Sequence, residues 1–148
     1  MTLPTTIRTL ALDLEGTLIS NAISQVPRPG LREFLEFCRE SFGQLLIFSG
    51  VREEVFRNVA QRLFDDGEAP KWLVDLQHQH WIGEYKDLRQ IDNAVLEETA
   101  IIDDQEDCIH PDQKHQWIPI CEFETPYADN DRELDRMMRV LAKLRGCA

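Results

Sequence analysis

The chain has 148 residues, 43% hydrophobic and 29% charged, a size and balance that suit a single globular domain spanning 1–148 and exclude a wholly disordered chain. A formal charge of −11 repels phosphate backbones and anionic lipid, so nucleic acid is not an expected partner. Met1 to Thr6 has no basic region leading into an apolar stretch, and no run approaches the roughly 18 apolar residues of a bilayer span, so the expectation is a cytoplasmic protein without a membrane anchor.

Ile7 to Leu12 reads as a first strand running into Asp13-Leu14-Glu15-Gly16-Thr17. Pro29-Gly30 precedes a helix over 31–40 whose Leu31, Phe34, Leu35 and Cys38 share one face. Leu45 to Phe48 is a second strand ending in Ser49-Gly50. Val51, Val55, Val59 and Leu63, with Phe56 and Ala60 beside them, mark a second helix. Trp72 to Leu76 reads as a third strand, Thr99 to Ile102 as a fourth ending in Asp103-Asp104, and Trp117 to Ile120 as a fifth. A last helix starts near 129–131, turns Leu134, Met137, Met138, Leu141 and Leu144 inward, and finishes with Lys143, Arg145 and Gly146. Strands alternating with helical stretches predict an α/β fold with a mostly parallel sheet flanked by helices, and ligands at the carboxyl ends of the strands.

Acidic and small residues gather at those strand ends. Asp13-x-Glu15-Gly16-Thr17 also suits an ordinary turn, since Asp, Gly and Thr favour turns. The case for chemistry grows because Ser49-Gly50, Lys86 and Asp103-Asp104, with Asp107 just beyond, follow in order and supply a hydroxyl, a cation and further carboxylates. That order resembles the haloacid dehalogenase superfamily of phosphohydrolases. Arg28-Pro29-Gly30-Leu31-Arg32-Glu33-Phe34-Leu35, Tyr85-Lys86-Asp87-Leu88, Ile101-Ile102-Asp103-Asp104 and Trp117-Ile118-Pro119-Ile120 resemble its NLI-interacting-factor branch, which includes phosphatases of the RNA polymerase II C-terminal domain.

The resemblance, over about residues 7 to 145, implies a Rossmann-like phosphatase working through an aspartyl-phosphate. Asp13 would be the nucleophile, Glu15 the acid and base, and Lys86 the charge-offsetting cation, while Ser49, Gly50 and Thr17 would serve phosphate binding, Thr17 chiefly as a brace. The implied cofactor is Mg²⁺ on the Asp13 side chain, the Glu15 carbonyl and Asp104, with Asp103 or Asp107 acting through water or from behind. Physical chemistry asks for such a cation: a phosphate dianion meeting these carboxylates is repelled by about 4 kcal/mol per close charge pair at an effective dielectric near 20. Oxygen-only ligands suit Mg²⁺.

Glu15 departs from the pattern, which usually has Asp there; the extra carbon adds roughly 1.5 Å of reach. The alternative to an active hydrolase is therefore a catalytically weak partner protein that keeps metal and phosphate affinity. Only about 30 residues separate Thr17 from Ser49 and about 35 separate Gly50 from Lys86, most of them needed for helices and a strand. That leaves no room for a separate cap domain and predicts an open site for a phosphoprotein or another macromolecular substrate, with 18–28 and 66–84 shaping selectivity.

The four cysteines form no C-x-x-C pair, and His78, His80, Cys108, His110, His115 and Cys121 show no usual zinc spacing, so surface or turn histidines with buried thiols are expected. At least two of Trp72, Trp81 and Trp117 are expected in the core, and Arg52, Arg57 and Arg62 on a solvated helix face.

Overall fold

The computed structural model describes residues 3–4 and 6–144, so Arg145, Gly146 and Cys147 lie outside the described residues. Five strands, β1 (Thr9–Leu12), β2 (Gln44–Ser49), β3 (Gln77–His80), β4 (Thr99–Asp103) and β5 (Trp117–Pro119), form one all-parallel sheet in the order β3-β2-β1-β4-β5. The order reverses direction beside β1. Leu12 pairs with Ile102, so the chain leaves β1 and β4 side by side at this switch point.

The period-2 alternation of side chains sorts the strands into two faces. Leu10, Leu12, Leu45, Ile47, Ala100 and Ile102 join the cluster covered by α1 (Leu31–Ser41), α2 (Glu53–Asp65) and α3 (Glu133–Ala142). Ala11, Leu46, Phe48 and Ile101 face the other way, onto Leu88, Ile91 and Ile109 from loops and short 3-10 turns. All three α-helices therefore share one face. The expected inward stripe of α1 is the buried one, Leu31, Phe34, Leu35 and Cys38. In α2 the buried stripe is Phe56, Val59, Ala60 and Leu63, while Val51 precedes the helix. The last helix starts later than its polar lead-in implies and buries Leu134, Met137 and Leu141.

The expected third strand is displaced. Lys71–Asp75 forms a 3-10 turn after Pro70, and carbonyls at its end are claimed from the side, Arg57 Nη1 donating to those of Val74 at 2.9 Å and of Leu76, just past the turn, at 2.6 Å. Arg57 is thus a half-buried clamp, whereas Arg52 and Arg62 are solvated as expected. The real β3 is the polar Gln77-His78-Gln79-His80. It lies at the sheet edge, where half-buried polar residues are tolerated. His78 stacks on Phe56 with ring centroids 5.4 Å apart; His78 and His80 thus belong to a strand, whereas His110 and His115 lie at the 3-10 turn Pro111–Gln116, as expected. Cys38 is buried, but Cys121 is exposed, contrary to the expectation of buried thiols. No helix among the described residues is long and apolar enough to cross a membrane.

Candidate active site

The carboxyl ends of the central strands open into a small cleft of about 170 Å³. Its lining includes Asp13, Glu15, Ser49, Gly50, Lys86, Asp103 and Asp104, brought together from four separate stretches of chain. Asp13 and Asp103 leave β1 and β4 next to each other because those strands pair in register. Ser49 closes β2. Lys86 is delivered by a loop, whose backbone bridges to Ile109 and donates its amide to the Cys108 carbonyl at 2.7 Å. Gln113, buried nearby, accepts from the Leu88 amide at 2.9 Å and donates to Asp87 Oδ1 at 2.9 Å, which fixes the segment after Lys86.

Lys86 Nζ lies between two carboxylates, 2.8 Å from Asp13 Oδ1 and 2.6 Å from Asp103 Oδ2, with the lysine side chain only 2% exposed. Thr17 Oγ1 donates at 2.9 Å to Asp13 Oδ2 and lies 3.1 Å from Asp104 Oδ1. It is wholly buried behind Asp13 and does not line the cleft, so it braces the loop and makes no part of a substrate surface. Ser49 Oγ accepts from the Val51 amide at 3.0 Å, which orients the hydroxyl and leaves its proton available to a ligand. Asp103 Oδ1 accepts from the Gln105 amide, and Asp104 Oδ2 accepts from the Gln105 side chain at 2.8 Å.

Glycine is required at position 16: φ is +79°, and a Cβ there would meet Asp104 Oδ2 at 2.6 Å. Gly50 has no such steric requirement from the protein itself. A Cβ would meet Trp81 at 3.5 Å, an ordinary contact. Glu15 is exposed, and its Oε2 accepts from the Ala22 amide at 2.7 Å, tying the cleft to the 20–26 loop. Asp107 is exposed and outside the cleft lining, so the structure does not bring it to the other acids.

Three carboxylates face one ammonium here, and the acidities of Asp13 and Asp103 reflect it. Burial pushes Asp13 well above the usual carboxylate range, with Lys86 pulling it back and Asp103 adding to the rise. Burial also raises Asp103, against the pull of Lys86. Burial lowers the affinity of Lys86 for its proton, but Asp13 and Asp103 together outweigh that and raise it. The acids would hold their charge better beside another cation. Asp13, Asp103 and Asp104 each offer an oxygen within 4.8 Å of the others, the one such group among the described residues, and an all-oxygen set with two uncompensated negative charges fits a hard divalent ion.

Trp81, in the 66–84 stretch expected to shape selectivity, also lines the cleft, together with Gln105 and Cys108. The Trp81 ring lies 5.4 Å from Lys86 Nζ, which makes it a wall of the site; Trp72 packs against the core, and Trp117 donates to the Asp103 carbonyl at 2.8 Å. Nothing in the local sequence marks Gln105 or Cys108 as cleft residues, because tertiary packing decides which side chains after β4 face the cleft. Burial, then the neighbouring carboxylates, raise the Cys108 thiol to about 11, so it is not an activated nucleophile.

The model of the family described as NLI interacting factor-like phosphatase matches residues 8–148. No curated protein matches the sequence.

Proposed function

The chain belongs to the NLI interacting factor-like phosphatase family, and on that premise we propose that its cleft hydrolyses phosphomonoesters with Mg²⁺ bound, through a phosphoryl intermediate on Asp13. The observation that carries this reading is the Lys86 ammonium, held at 2.8 and 2.6 Å between Asp13 and Asp103 across 73 and 17 residues of sequence. A buried cation against an oriented carboxylate beside the reaction space is what preorganised electrostatic catalysis requires.

The Asp13 and Asp104 carboxylates and the Glu15 carbonyl would hold the metal, with Asp103, paired to Lys86, behind them. When bound there, Mg²⁺ would supply charge neutralisation and Lewis-acid polarisation of a phosphoryl oxygen. An Asp13 carboxylate oxygen attacks phosphorus as the bond to the ester oxygen breaks, and the departing oxygen takes a proton from the Glu15 carboxyl. Water then attacks the aspartyl-phosphate, Glu15 recovers a proton, and the break of the bond from phosphorus to Asp13 releases inorganic phosphate. Ser49 Oγ donates to a phosphoryl oxygen, and Lys86 offsets charge on Asp13 and on the group in transfer.

The cleft holds about 170 Å³, below the roughly 300–1,000 Å³ of sites that enclose a whole small molecule. That size, and the lack of a separate cap among the described residues, support a substrate presenting its phosphate from a larger body, as a phosphoprotein does. The decisive experiment is hydrolysis of p-nitrophenyl phosphate in Mg²⁺ by the wild type and Asp13→Asn, both checked for folding by circular dichroism. The expected loss is at least about 10³-fold in kcat. Equal rates would remove Asp13 from the chemistry and the proposal with it.

A further inference from the structure

In a parallel sheet all strands end at one edge, so the loops after β1 to β5 form a common rim around the cleft. This rim is predominantly acidic. Glu15, Glu84, Glu106, Asp107, Glu122 and Glu124 are exposed on those loops, and none of the six is in an ion pair among the described residues. Most nearby cations are paired with other acids: Arg28 with Asp131, Lys86 inside the cleft, Arg52 with Glu54 at 3.4 Å, Arg89 with Asp87 at 2.8 Å and Arg132 with Asp135 at 3.5 Å; Lys114, whose ammonium donates to the Glu106 carbonyl at 2.6 Å, is the rim cation set against these six acids. The rim reaches the cleft itself, since Glu15 lines it and Glu122 Oε1 lies 3.4 Å from the lining residue Gln105.

Asp13, Asp103, Asp104, the Lys86 ammonium and a divalent cation sum to zero, before Glu15 at the cleft edge is counted. A bound phosphoryl dianion therefore has no surplus positive charge around it and faces unpaired carboxylates beyond. A substrate that brings its own cations to the rim relieves that imbalance; an acidic one aggravates it. Two exposed aliphatic side chains stand on the same rim. Ile23, 91% exposed, follows Ala22, whose amide holds Glu15, and Ile82, 68% exposed, follows the cleft-lining Trp81.

We propose that this site selects phosphorylated protein segments flanked by Lys or Arg and discriminates against acidic phosphopeptides. The inference rests on the phosphatase reading and adds its substrate class. Exposed charges act over a Debye length of about 8 Å at 0.15 M salt, which covers the two or three residues on either side of a phosphorylated side chain.

The test compares three phosphoserine peptides identical except for Lys, Ala or Glu at the flanking positions. At 0.05 M salt, kcat/KM falls from the Lys to the Glu peptide by about tenfold or more, and the ratio shrinks at 0.5 M. The triple variant Glu84→Gln, Glu122→Gln, Glu124→Gln narrows the ratio while hydrolysis of p-nitrophenyl phosphate is unchanged. Equal values for the three peptides, or a faster Glu peptide, overturn the selectivity while aryl phosphate turnover upholds the phosphatase reading. If no phosphate ester is turned over, that reading fails, and the fluorescence anisotropy of the same labelled peptides in Mg²⁺ still decides the selectivity: tighter Lys-peptide binding supports it, and equal binding sinks it.

Discussion

Arg28 and Asp131, 103 residues apart, form a two-point ion pair, Nε to Oδ1 at 3.0 Å and Nη2 to Oδ2 at 3.1 Å, with the Arg28 side chain fully shielded from solvent. The third guanidinium nitrogen, Nη1, donates to the Thr17 carbonyl at 3.2 Å, and Phe123 lies 5.3 Å beneath the guanidinium carbon. The Phe123 amide in turn donates to the Gly16 carbonyl at 2.8 Å. The segment before α3 is thereby clasped to the loop that carries Asp13 and Glu15.

Removing one member of this pair strands a buried charge. Asp131→Ala is expected to cost about 3–5 kcal/mol, a fall of about 10 °C in Tm. Arg28→Met combined with Asp131→Ala should recover part of that loss, because the unpaired guanidinium is gone. Thermal melts followed by circular dichroism measure both. A double variant no more stable than Asp131→Ala would show that the pair is not the source of the cost.

Magnesium should stabilise the folded chain without any substrate. At 100 times its Kd, a ligand that binds only the native state adds about 2.7 kcal/mol, which corresponds to a rise of about 5–10 °C in Tm. Asp104→Asn should abolish most of the rise, since the amide keeps the size and shape of the carboxyl but loses its charge. Differential scanning fluorimetry across a Mg²⁺ series gives the comparison, and an unchanged rise in Asp104→Asn would exclude Asp104 as a ligand.

The pH dependence has a definite sign. Asp13, raised mainly by burial, has a folded pKa above the roughly 3.9 of an unfolded Asp. A raised folded pKa contributes stability that is present below about pH 3.9 and is lost as pH climbs through the folded value. In metal-free buffer the wild type should therefore lose stability relative to Asp13→Asn as pH rises from about 4. Excess Mg²⁺ should reduce that loss by favouring the carboxylate. Melting curves of the two proteins between pH 4 and 7 test it, and a wild type that gains on the variant over this range would reverse the assigned sign.

Glu15 is anchored by its full length. Shortening it by roughly 1.5 Å in Glu15→Asp breaks the bond from the Ala22 amide, and a misplacement of about 1 Å costs on the order of 10²-fold. The expected outcome is a lower kcat in Glu15→Asp and a larger loss in Glu15→Gln, steeper for alkyl than for aryl phosphates because alkyl leaving groups need the proton more. A clear gain in Glu15→Asp would instead mark the native protein as the attenuated, phosphate-binding form.

Much of the scaffold is legible from local pattern. The stripe Leu31, Phe34, Leu35 and Cys38 follows a 3.6-residue period, and burial acts on that period directly. The aliphatic run at Thr99–Asp103 reads as a strand for a similar reason, since both its faces are covered. The displaced third strand shows where this fails. Trp72 to Leu76 has strand-like residues, but Arg57, distant in sequence, captures its carbonyls, and an edge position lets the polar Gln77–His80 pair with β2 instead.

The identity and order of the acids, the hydroxyl and the lysine are properties of the chain alone, as is the resemblance that these residues carry. Their meeting is a property of the sheet. Register between β1 and β4 places Asp13 beside Asp103, and pairing of the 86–88 segment with 108–113 puts an ammonium between them. The burial of Arg28, the brace at Thr17 and the wall at Trp81 likewise depend on contacts between distant parts of the chain. Periodicity records which face of an element is apolar, whereas the distance between two charges far apart in sequence exists only once long-range packing has closed the loops between them.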